Sequence, residues 1–305
     1  MKKFLLFFWN KFFIFKNKIS LFFYLIKDFF FRNTHKAPSI MTCEETLDYI
    51  LKNNCCVSRF GDGEIKLACG VDVSFQKSTD KLRKRLQEIL NSDEKNVLIC
   101  LPYVFTDEQQ SSMNKTAVLH WKKHLSKFRK SWYKYLISNK IYGNAFISRN
   151  YLSLKDKSGC ENYFKKIKKL WLDKDIIIVE GEKSRLGMGN DLFDCAKSVK
   201  RILAPSAQCF DKYDELLNEI KSHGKDYLYI LALGPSATIM AYDLAKENFN
   251  AIDMGNIDTE YEWFKMKTEE KVPIKNKMVY EAGAGAGVGE AHDEKYLSQI
   301  IAKIL

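Results

Sequence analysis

The sequence predicts an α/β protein with a mainly parallel, doubly wound sheet. Short apolar segments alternate along the chain with amphipathic helical segments, the pattern of a sheet with helical crossovers. YLYILAL and the four residues that follow Asp175 in DIIIV are continuous apolar runs, which are typical of strands covered on both faces. The chain of 305 residues is long enough to bury a large core, and no internal repeat or long linker divides its body.

Residues 1–33 form a basic, aromatic segment that differs from the rest of the chain. They carry seven Lys or Arg and one Asp, a net charge of +6, whereas the remaining residues carry +5. Most of the lysines fall on one side of a helical wheel and most of the phenylalanines on the other, which is typical of a helix lying in a membrane interface. Lys11, Lys16 and Lys18 would each cost about 2.5–3.5 kcal/mol at the centre of a spanning helix. In-plane attachment is therefore favoured over a spanning anchor, and both over a helix that binds a soluble partner.

We accordingly expect a membrane-associating helix at 1–33, a linker at 34–41 and one α/β domain at 42–305. The eight cysteines include no CxxC pair, which favours a reduced, cytoplasmic compartment. Because more than half of the net charge of +11 lies in the N-terminal segment, the expected partner is a membrane surface and not nucleic acid. The predicted location is the inner face of the cell membrane, where the protein is peripheral.

A first helix is expected from about Thr42, where two glutamates in the first turn suit the helix dipole. Strands are predicted at Cys55–Arg59, Asn96–Leu101, Ala145–Ser148, Asp175–Val179, Lys200–Ala204, Tyr227–Leu233 and Asn250–Asp253. Further helices are predicted at Ser78–Leu90, Tyr163–Leu172, Asp191–Val199, Lys212–Lys221 and Thr238–Glu247. Ligands of open parallel sheets bind beyond the carboxyl ends of the strands, so the loops that follow the strands are the candidate site.

The loop Glu180–Asp191, EGEKSRLGMGND, follows one predicted strand, and GPSA follows another. Glycines there let backbone N–H groups turn towards a ligand, and Lys183 and Arg185 add donors for phosphate oxygens. The acids could accept hydrogen bonds from ribose hydroxyls, although a solvated loop with a helix cap is the alternative. The predicted nucleotide-binding residues are Glu180, Gly181, Glu182, Ser184, Arg185, Gly187, Gly189, Asn190, Gly234 and Ser236.

The stretch MGNIDTEYEW follows the last predicted strand and offers three acids at a spacing of two. If it is helical, Asp258 and Glu262 share one face and Glu260 points elsewhere. A carboxylate in such a loop could deprotonate a hydroxyl, so Asp258 and Glu260 are the candidate catalytic bases. Solvent-facing acids at a helix start are the alternative, with even weight.

RFGDGE follows the first predicted strand. Asp62 and Glu64 are hard oxygen ligands of the kind that Mg²⁺ or Mn²⁺ accepts together with substrate phosphates, and Arg59 could bind a diphosphate. A charged turn is the alternative, since Gly and Asp dominate turns. Beside the other loops, a two-carboxylate metal motif suits transfer from a nucleotide-diphosphate donor.

Other motifs point away from further chemistry. EAGAGAGVGEAH lacks the GxGxxG spacing and is interpreted as a flexible loop, and neither GxSxG nor a Cys/His triad signature is present. His120 and His124 lie four residues apart without the acid of HExxH, so we interpret them as surface or core residues and not as a metal site.

Five ordered motifs resemble the GT-D-fold glycosyltransferase domain family: RFGDGE, NAFISR, IIIVEGEKSRLGMGNDLF, LALGPSATIMAYDLA and IDMGNIDTEYEWF. The resemblance runs from about Thr42 to the C-terminus. It implies a Rossmann-like enzyme that moves a sugar from a UDP-sugar with Mn²⁺ or Mg²⁺ at a DxE motif, here Asp62-Gly63-Glu64. It also implies that the EGEKSRLGMGND and GPSA loops line the donor site and that GNIDTEYEW forms the reaction centre, where Asn256 replaces the expected histidine.

The expected function is that of a UDP-sugar-dependent hexosyltransferase acting on a glycan or lipid-linked acceptor in bacterial surface polysaccharide or glycoprotein biosynthesis. One alternative is a Rossmann-type oxidoreductase or sugar-nucleotide-modifying enzyme, which the missing GxGxxG disfavours. The other is a non-catalytic membrane-associated scaffold, against which the retained Asp62, Glu64 and Arg185 argue.

Overall fold

The protein is described by a computed structural model that covers residues 23–283 and 288–305. Within these residues nine strands form one sheet in which every neighbouring pair is parallel. The strands are β1 (Ser39–Ile40), β2 (Cys56–Arg59), β3 (Val97–Leu101), β4 (Ile141–Asn144), β5 (Asp175–Gly181), β6 (Ser198–Ala204), β7 (Leu228–Ala232), β8 (Asn250–Asp253) and β9 (Ile300–Lys303). Their order across the sheet is β1-β4-β3-β2-β8-β7-β5-β6-β9.

Helices connect the strands. The first, α1, spans residues 23–34 of the described chain. The others are α2 (Cys43–Asn53), α3 (Asp62–Ala68), α4 (Asp80–Leu90), α5 (Lys115–Tyr135), α6 (Cys160–Lys168), α7 (Tyr213–Ser222), α8 (Pro235–Lys246), α9 (Ile257–Met266) and α10 (Glu294–Ser298). As expected, α2 begins after Thr42, whose hydroxyl accepts from the Glu45 N–H while the Glu45 carboxylate accepts from the Thr42 N–H.

Apolar layers cover both faces of the sheet. Along β5, Ile177 and Val179 belong to one layer and Ile176 and Ile178 to the other, because successive side chains of a strand point to opposite faces. The mainly parallel, doubly wound sheet predicted from DIIIV and YLYILAL is thereby confirmed.

Two predicted elements are wrong. Ala145–Ser148 is a 3₁₀ turn that follows β4, and the Asn144 side chain caps it by accepting from the Phe146 N–H at 2.9 Å. Residues 191–197 form turns, and β6 begins at Ser198. The Leu192 carbonyl accepts from the Trp171 indole and the Cys195 carbonyl from the Asp173 N–H, both at 2.9 Å, so carbonyls that a helix would use bind the preceding segment.

Sequence reasoning also missed α5 and the two edge strands. Trp121, Leu125 and Trp132 lie at helical spacing on the buried face of α5, a periodicity that would have indicated the helix. The edge strands are too short to give a pattern: β1 has two residues, Ser39 and Ile40, and both lie in the predicted linker 34–41.

Part of the predicted membrane helix, residues 23–33, lies in α1, whereas residues 1–22 lie outside the described chain. One side of α1 contacts α5: Asp28 accepts from the Arg129 Nε at 2.6 Å, and the Phe31 ring meets that of Tyr133 edge-on at 5.3 Å. The other side leaves Phe29 50% and Phe30 65% exposed. Among the described residues, no helix combines the length and the apolarity needed to cross a membrane.

The α5 histidine that lies in the core makes stability depend on pH. The Trp132 indole donates to the His124 Nε2 at 3.3 Å, and burial lowers the His124 pKa from 6.5 to about 4, the charges of Lys66 and His120 acting in the same direction and that of Asp62 against it. As the pH falls below about 6.5, His124 is protonated in the unfolded state but stays neutral in the folded state until about pH 4. Protonation therefore favours the unfolded state, and the free energy of unfolding decreases over this pH range. Between pH 7 and pH 5 we expect the wild type to lose about 2 kcal/mol more free energy of unfolding than His124→Gln, measured by urea denaturation. Equal losses in the two proteins would contradict this.

Candidate active site

A cleft of about 970 Å³ opens at the carboxyl edge of the sheet. The segments after β2, β5, β6, β7 and β8 reach it, and the first half of α5 forms one wall, so the strand-end loops predicted from the sequence do meet there. Among the lining residues are Arg59, Asp62 and Glu64 after β2, Gly181 and Ser184 from β5 and its loop, Ser206 after β6, Gly234 after β7, Asp253, Asn256 and Glu260 from β8 and beyond, and Thr116, His120 and Trp121 from α5.

The DxE acids stand at the start of α3. Gly61 caps this helix, and its N–H donates to the Glu64 carboxylate at 2.7 Å, so one oxygen of Glu64 holds the helix start. Asp62 accepts from the Lys66 Nζ at 2.6 Å and lies 3.6 Å from the His120 Nε2. Both acids thus have protein partners, as the charged-turn alternative expects, and both also line the cleft.

Burial and neighbouring charges shift the pKa values of the two DxE acids. Burial raises the pKa of Glu64 to about 7, the Gly61 N–H opposes the shift, and the charges of Asp253 and Asp62 add to it. For Asp62, burial acts in the same direction, but the hydrogen bond and charge of Lys66 outweigh it and lower the pKa. The Glu64 carboxyl therefore ionises less readily than an exposed glutamate, whereas Lys66 stabilises the ionised Asp62.

The described residues contain no cluster of three or more His, Cys, Asp or Glu arranged to hold a metal ion. The two carboxylates of Asp62 and Glu64 nevertheless fit a Mg²⁺- or Mn²⁺-type site, because such ions are commonly held by one or two carboxylates, with waters and substrate phosphates completing the shell. Burial is the main cause of the raised pKa of Glu64, and the charges of Asp253 and Asp62 add to it. A bound cation would favour the ionised carboxylate.

Arg59 joins three segments beneath this corner. Its guanidinium donates to the Asp253 carbonyl at 2.6 Å, to the Asp253 carboxylate at 3.1 Å and to the Ala145 carbonyl at 2.9 Å. A Cβ at Gly255, where φ is +46°, would lie 2.3 Å from the Arg59 Nη2, so only glycine fits there. Arg59 lines the cleft as predicted, but three of its five N–H groups already bond within the protein.

A second acidic group faces the cleft on the α9 side. Arg149 donates to Glu281 at 2.6 Å and lies 4.0 Å from the Glu260 Oε1, while the Glu260 Oε2 accepts from the Tyr151 and Leu152 N–H groups. Burial raises the pKa of Glu260, the charge of Arg149 opposes this, and that of Glu281 adds to it. One oxygen of Glu260 is therefore fixed and the other faces an arginine in the cleft.

Asp258 lies away from the cleft lining. Its carboxylate accepts from the Gly187 N–H at 2.8 Å, from the Asn190 amide at 2.7 Å and from the Lys277 ammonium at 2.7 Å. Glu262 accepts from the same amide and ammonium, which confirms that Asp258 and Glu262 share one face of α9 while Glu260 points elsewhere. Asp258 holds the loop of residues 180–191 against α9, and this placement does not support its assignment as a base.

The loop Glu180–Asp191 is also built around a buried acid. Glu180 is fully buried: one oxygen accepts from the Arg201 guanidinium and the other from the Leu186 N–H, both at 2.6 Å. The Arg185 side chain is buried too and donates to the carbonyls of Asn276 and Gly289. Neither side chain lines the cleft, so the structure does not place Glu180 at a ribose or Arg185 at a diphosphate.

The predicted nucleotide-binding residues therefore divide into two groups. Gly181, Ser184 and Gly234 line the cleft. The others lie outside the lining: Glu180, Arg185 and Ser236 are buried, Gly187 and Asn190 bind Asp258, Glu182 is partly exposed and Gly189 is exposed.

Several cleft residues were not among the predicted site residues. Arg149 ends the NAFISR motif, which was the available signal, and Glu281 precedes the glycine-rich stretch. Phe75 and Tyr280, with ring centroids 5.0 Å apart, also line the cleft, but they come from a turn and a three-residue 3₁₀ helix, which are too short to give a sequence pattern.

The buried ion pair of Glu180 tests how the loop is held. Arg201→Met leaves a buried carboxylate without its cation and is expected to cost about 3–5 kcal/mol of unfolding free energy. The double variant Glu180→Gln with Arg201→Met keeps an acceptor for the Leu186 N–H and should recover most of that loss. The exposed pair of Arg83 and Asp80 is the control, where Arg83→Met should cost under about 1 kcal/mol. Equal denaturation midpoints for the single and the double variant would contradict this account.

Comparison with known proteins agrees with this geometry. The family model "Glycosyltransferase GT-D fold" matches residues 57–282. The chain is 38% identical over 267 residues to "Probable glycosyl transferase Gly" of Streptococcus gordonii, which covers 87% of this chain, and 38% identical over 263 residues to "Glycosyltransferase GlyD" of Streptococcus pneumoniae, which covers 86%. It spans 39% and 32% of the length of these two relatives.

Solved structures show the same likeness. A glycosyltransferase from Streptococcus sanguinis is 38% identical and superposes with a TM-score of 0.85 over 88% of this chain and all of that one. A second structure, of a domain described as having a distinct glycosyltransferase fold, is 40% identical with a TM-score of 0.84, over 88% of this chain and 96% of that one. Sequence, fold and family match agree, and the chain belongs to the GT-D-fold glycosyltransferase family.

Proposed function

We propose that the protein is a metal-dependent hexosyltransferase that moves a sugar from a UDP-sugar to a glycan or lipid-linked acceptor in bacterial surface polysaccharide or glycoprotein biosynthesis. The observation that carries this proposal is the cleft at the carboxyl edge of the sheet, which has acids on two sides, in a member of a glycosyltransferase family. One acidic group suits a cation and the other suits proton transfer.

We propose that the sugar-nucleotide donor binds against the loops that follow β5, β6, β7 and β8. Backbone approach is close there: a Cβ at Gly181 would lie 3.2 Å from the Ser206 Cα, and one at Gly234, where φ is +55°, would lie 2.9 Å from the Phe75 ring. The paired rings of Phe75 and Tyr280 offer a stacking surface for a base. The two N–H groups of Arg59 that have no partner in the described part of the chain are available to a diphosphate.

Asp62 and Glu64 are proposed to hold Mn²⁺ or Mg²⁺ beside that diphosphate. A bound divalent ion would supply charge stabilisation for the departing diphosphate. Lys66 and His120, which lie next to Asp62, orient its carboxylate, and the Lys66 ammonium adds positive charge at this corner.

The first test is release of UDP from a panel of UDP-sugars, measured with Mn²⁺ and with a chelator. We expect one or a few donors to be hydrolysed only with the metal, and Asp62→Asn with Glu64→Gln to weaken metal-dependent UDP binding at least about 10-fold in calorimetry.

The matched control is Asp80→Asn, which changes an exposed acid at the start of α4 and should leave UDP binding unchanged. If the double variant binds UDP as tightly as the control, the metal site is misassigned. An absorbance change with NAD(P)H in place of UDP release would instead favour an oxidoreductase.

Glu260 is proposed as the catalytic base, since of the two sequence candidates it is the one that lines the cleft. Its fixed Oε2 orients the carboxylate, and its other oxygen faces the cleft beside Arg149. Arg149 and Glu281 hold one another there and balance part of the local charge.

Glu260→Gln keeps an acceptor for the Tyr151 and Leu152 N–H groups but removes the base. It should lower kcat for donor hydrolysis by about 10²–10⁴-fold and leave UDP affinity unchanged. Asp258→Asn, which weakens the contact with Lys277, should instead lower the thermal unfolding temperature. Full kcat in Glu260→Gln would overturn this assignment.

The protein is further proposed to be peripheral on the inner face of the cell membrane, attached through residues 1–33. The exposed rings of Phe29 and Phe30 on α1 support this, because aromatic side chains beside basic ones are typical of interfacial helices. Attachment would confine the enzyme and a lipid-linked acceptor to one surface.

A further inference from the structure

The net positive charge of residues 34–305, which we call the protein body, is concentrated on one helix. Residues 34–305 carry a net charge of +5, yet the 21 residues of α5 contain seven Lys or Arg and no acid. The rest of the body is therefore slightly acidic overall, and α5 stands out from it.

Four of the α5 lysines form a single row. Lys123, Lys127, Lys130 and Lys134 are spaced by four, three and four residues and so lie on one side of the helix. All four are exposed. We call this row the α5 lysine face.

The α5 lysine face has no carboxylate partner in the described part of the chain. The α5 side chains that pair with acids there are His120, Lys122 and Arg129. Like charges at this spacing repel one another, and a negatively charged surface would relieve that repulsion.

The helix α1 packs next to the α5 lysine face. Arg129 and Tyr133, on the neighbouring side of α5, hold α1 in place, and the Lys130 ammonium lies 5.6 Å from the centre of the Phe31 ring. The exposed apolar and aromatic side chains of α1 include Tyr24, Leu25, Ile26, Phe29 and Phe30.

We propose that the α5 lysine face and the exposed side of α1 form one rigid surface that binds the headgroups of anionic phospholipids. This rests on the proposed membrane attachment and deepens it: the aromatic side chains enter the interface, and the lysines on the protein body select anionic lipid. Charge complementarity favours a bilayer, since four ammonium groups without a carboxylate partner among the described residues lie close to the aromatic side chains of α1.

The same helix sets the position of the cleft. Thr116, His120 and Trp121 line the cleft, and His120 precedes Lys127 by only seven residues, about 10 Å along the axis. Binding through α5 therefore holds the cleft at a fixed, short distance from the lipid surface, as a lipid-linked acceptor requires.

The experiment uses the full chain and two kinds of vesicle, phosphatidylcholine alone and an equimolar mixture with phosphatidylglycerol, in a co-sedimentation assay. The test variant changes Lys123, Lys127, Lys130 and Lys134 to Gln. The control changes Lys84, Lys95, Lys169 and Lys275 to Gln; these are exposed elsewhere and give the same change in net charge. A third variant replaces the α5 lysine face with Arg.

We expect the wild type, the control and the Arg variant to prefer the anionic vesicles, and the test variant to bind them on the order of 1,000-fold more weakly. The preference should decline with added salt. Thermal unfolding and UDP release in solution should be unchanged in all four proteins, which separates this result from the proposed catalytic function.

Equal weakening in the test and control variants would overturn the inference, because net charge alone would then explain it. Binding of the test variant at wild-type strength would overturn it too, while leaving attachment through residues 1–33 standing. A test variant that lost only self-association in light scattering, or only binding to duplex DNA, would assign the face to another partner and overturn the inference as well.

Discussion

Acidic side chains buried near the carboxyl edge of the sheet must be neutralised, and the shape of the cleft depends on how this is done. Glu180 at the end of β5 is paired with Arg201 of β6, and Asp258 of α9 is paired with Lys277. A buried carboxylate that loses its cation is strongly destabilising. These pairs fix the loop of residues 180–191 between β5 and α9, and the backbone of that loop in turn forms part of the cleft.

This requirement divides the acids of each motif between buried ion pairs and the cleft lining. In α9, Asp258 and Glu262 face inward to Lys277. Glu260, which lies about half a helical turn from each of them, faces Arg149 and the cleft. The helical period separates them. At the start of α3, Glu64 caps its own helix with one oxygen, and the same side chain also lines the cleft.

The long helix α5 connects three parts of the molecule. Its first half is a wall of the cleft, its buried face carries the Trp121, His124 and Trp132 cluster, and Arg129 holds α1. Because a helix has a fixed rise and rotation per residue, side chains at its two ends are held at a fixed distance and orientation from each other. The orientation of the cleft relative to α1 is thus decided by the same element that builds the cleft wall.

The sequence by itself determined the fold class, because fully buried parallel strands leave continuous apolar runs such as DIIIV and YLYILAL. It also determined which loops meet, since all parallel strands end at one edge, and it gave the division of faces in α9. Only the tertiary structure decided which polar residues reach the cleft. Glu180, Arg185 and Asp258 carry the residue types of a ligand site, yet their partners, Arg201, Gly289 and Lys277, lie 19 to 104 residues away along the chain. A local sequence pattern does not reveal partners that are so distant along the chain. Because these side chains are buried against those partners, they stabilise the fold and do not reach a ligand in the cleft.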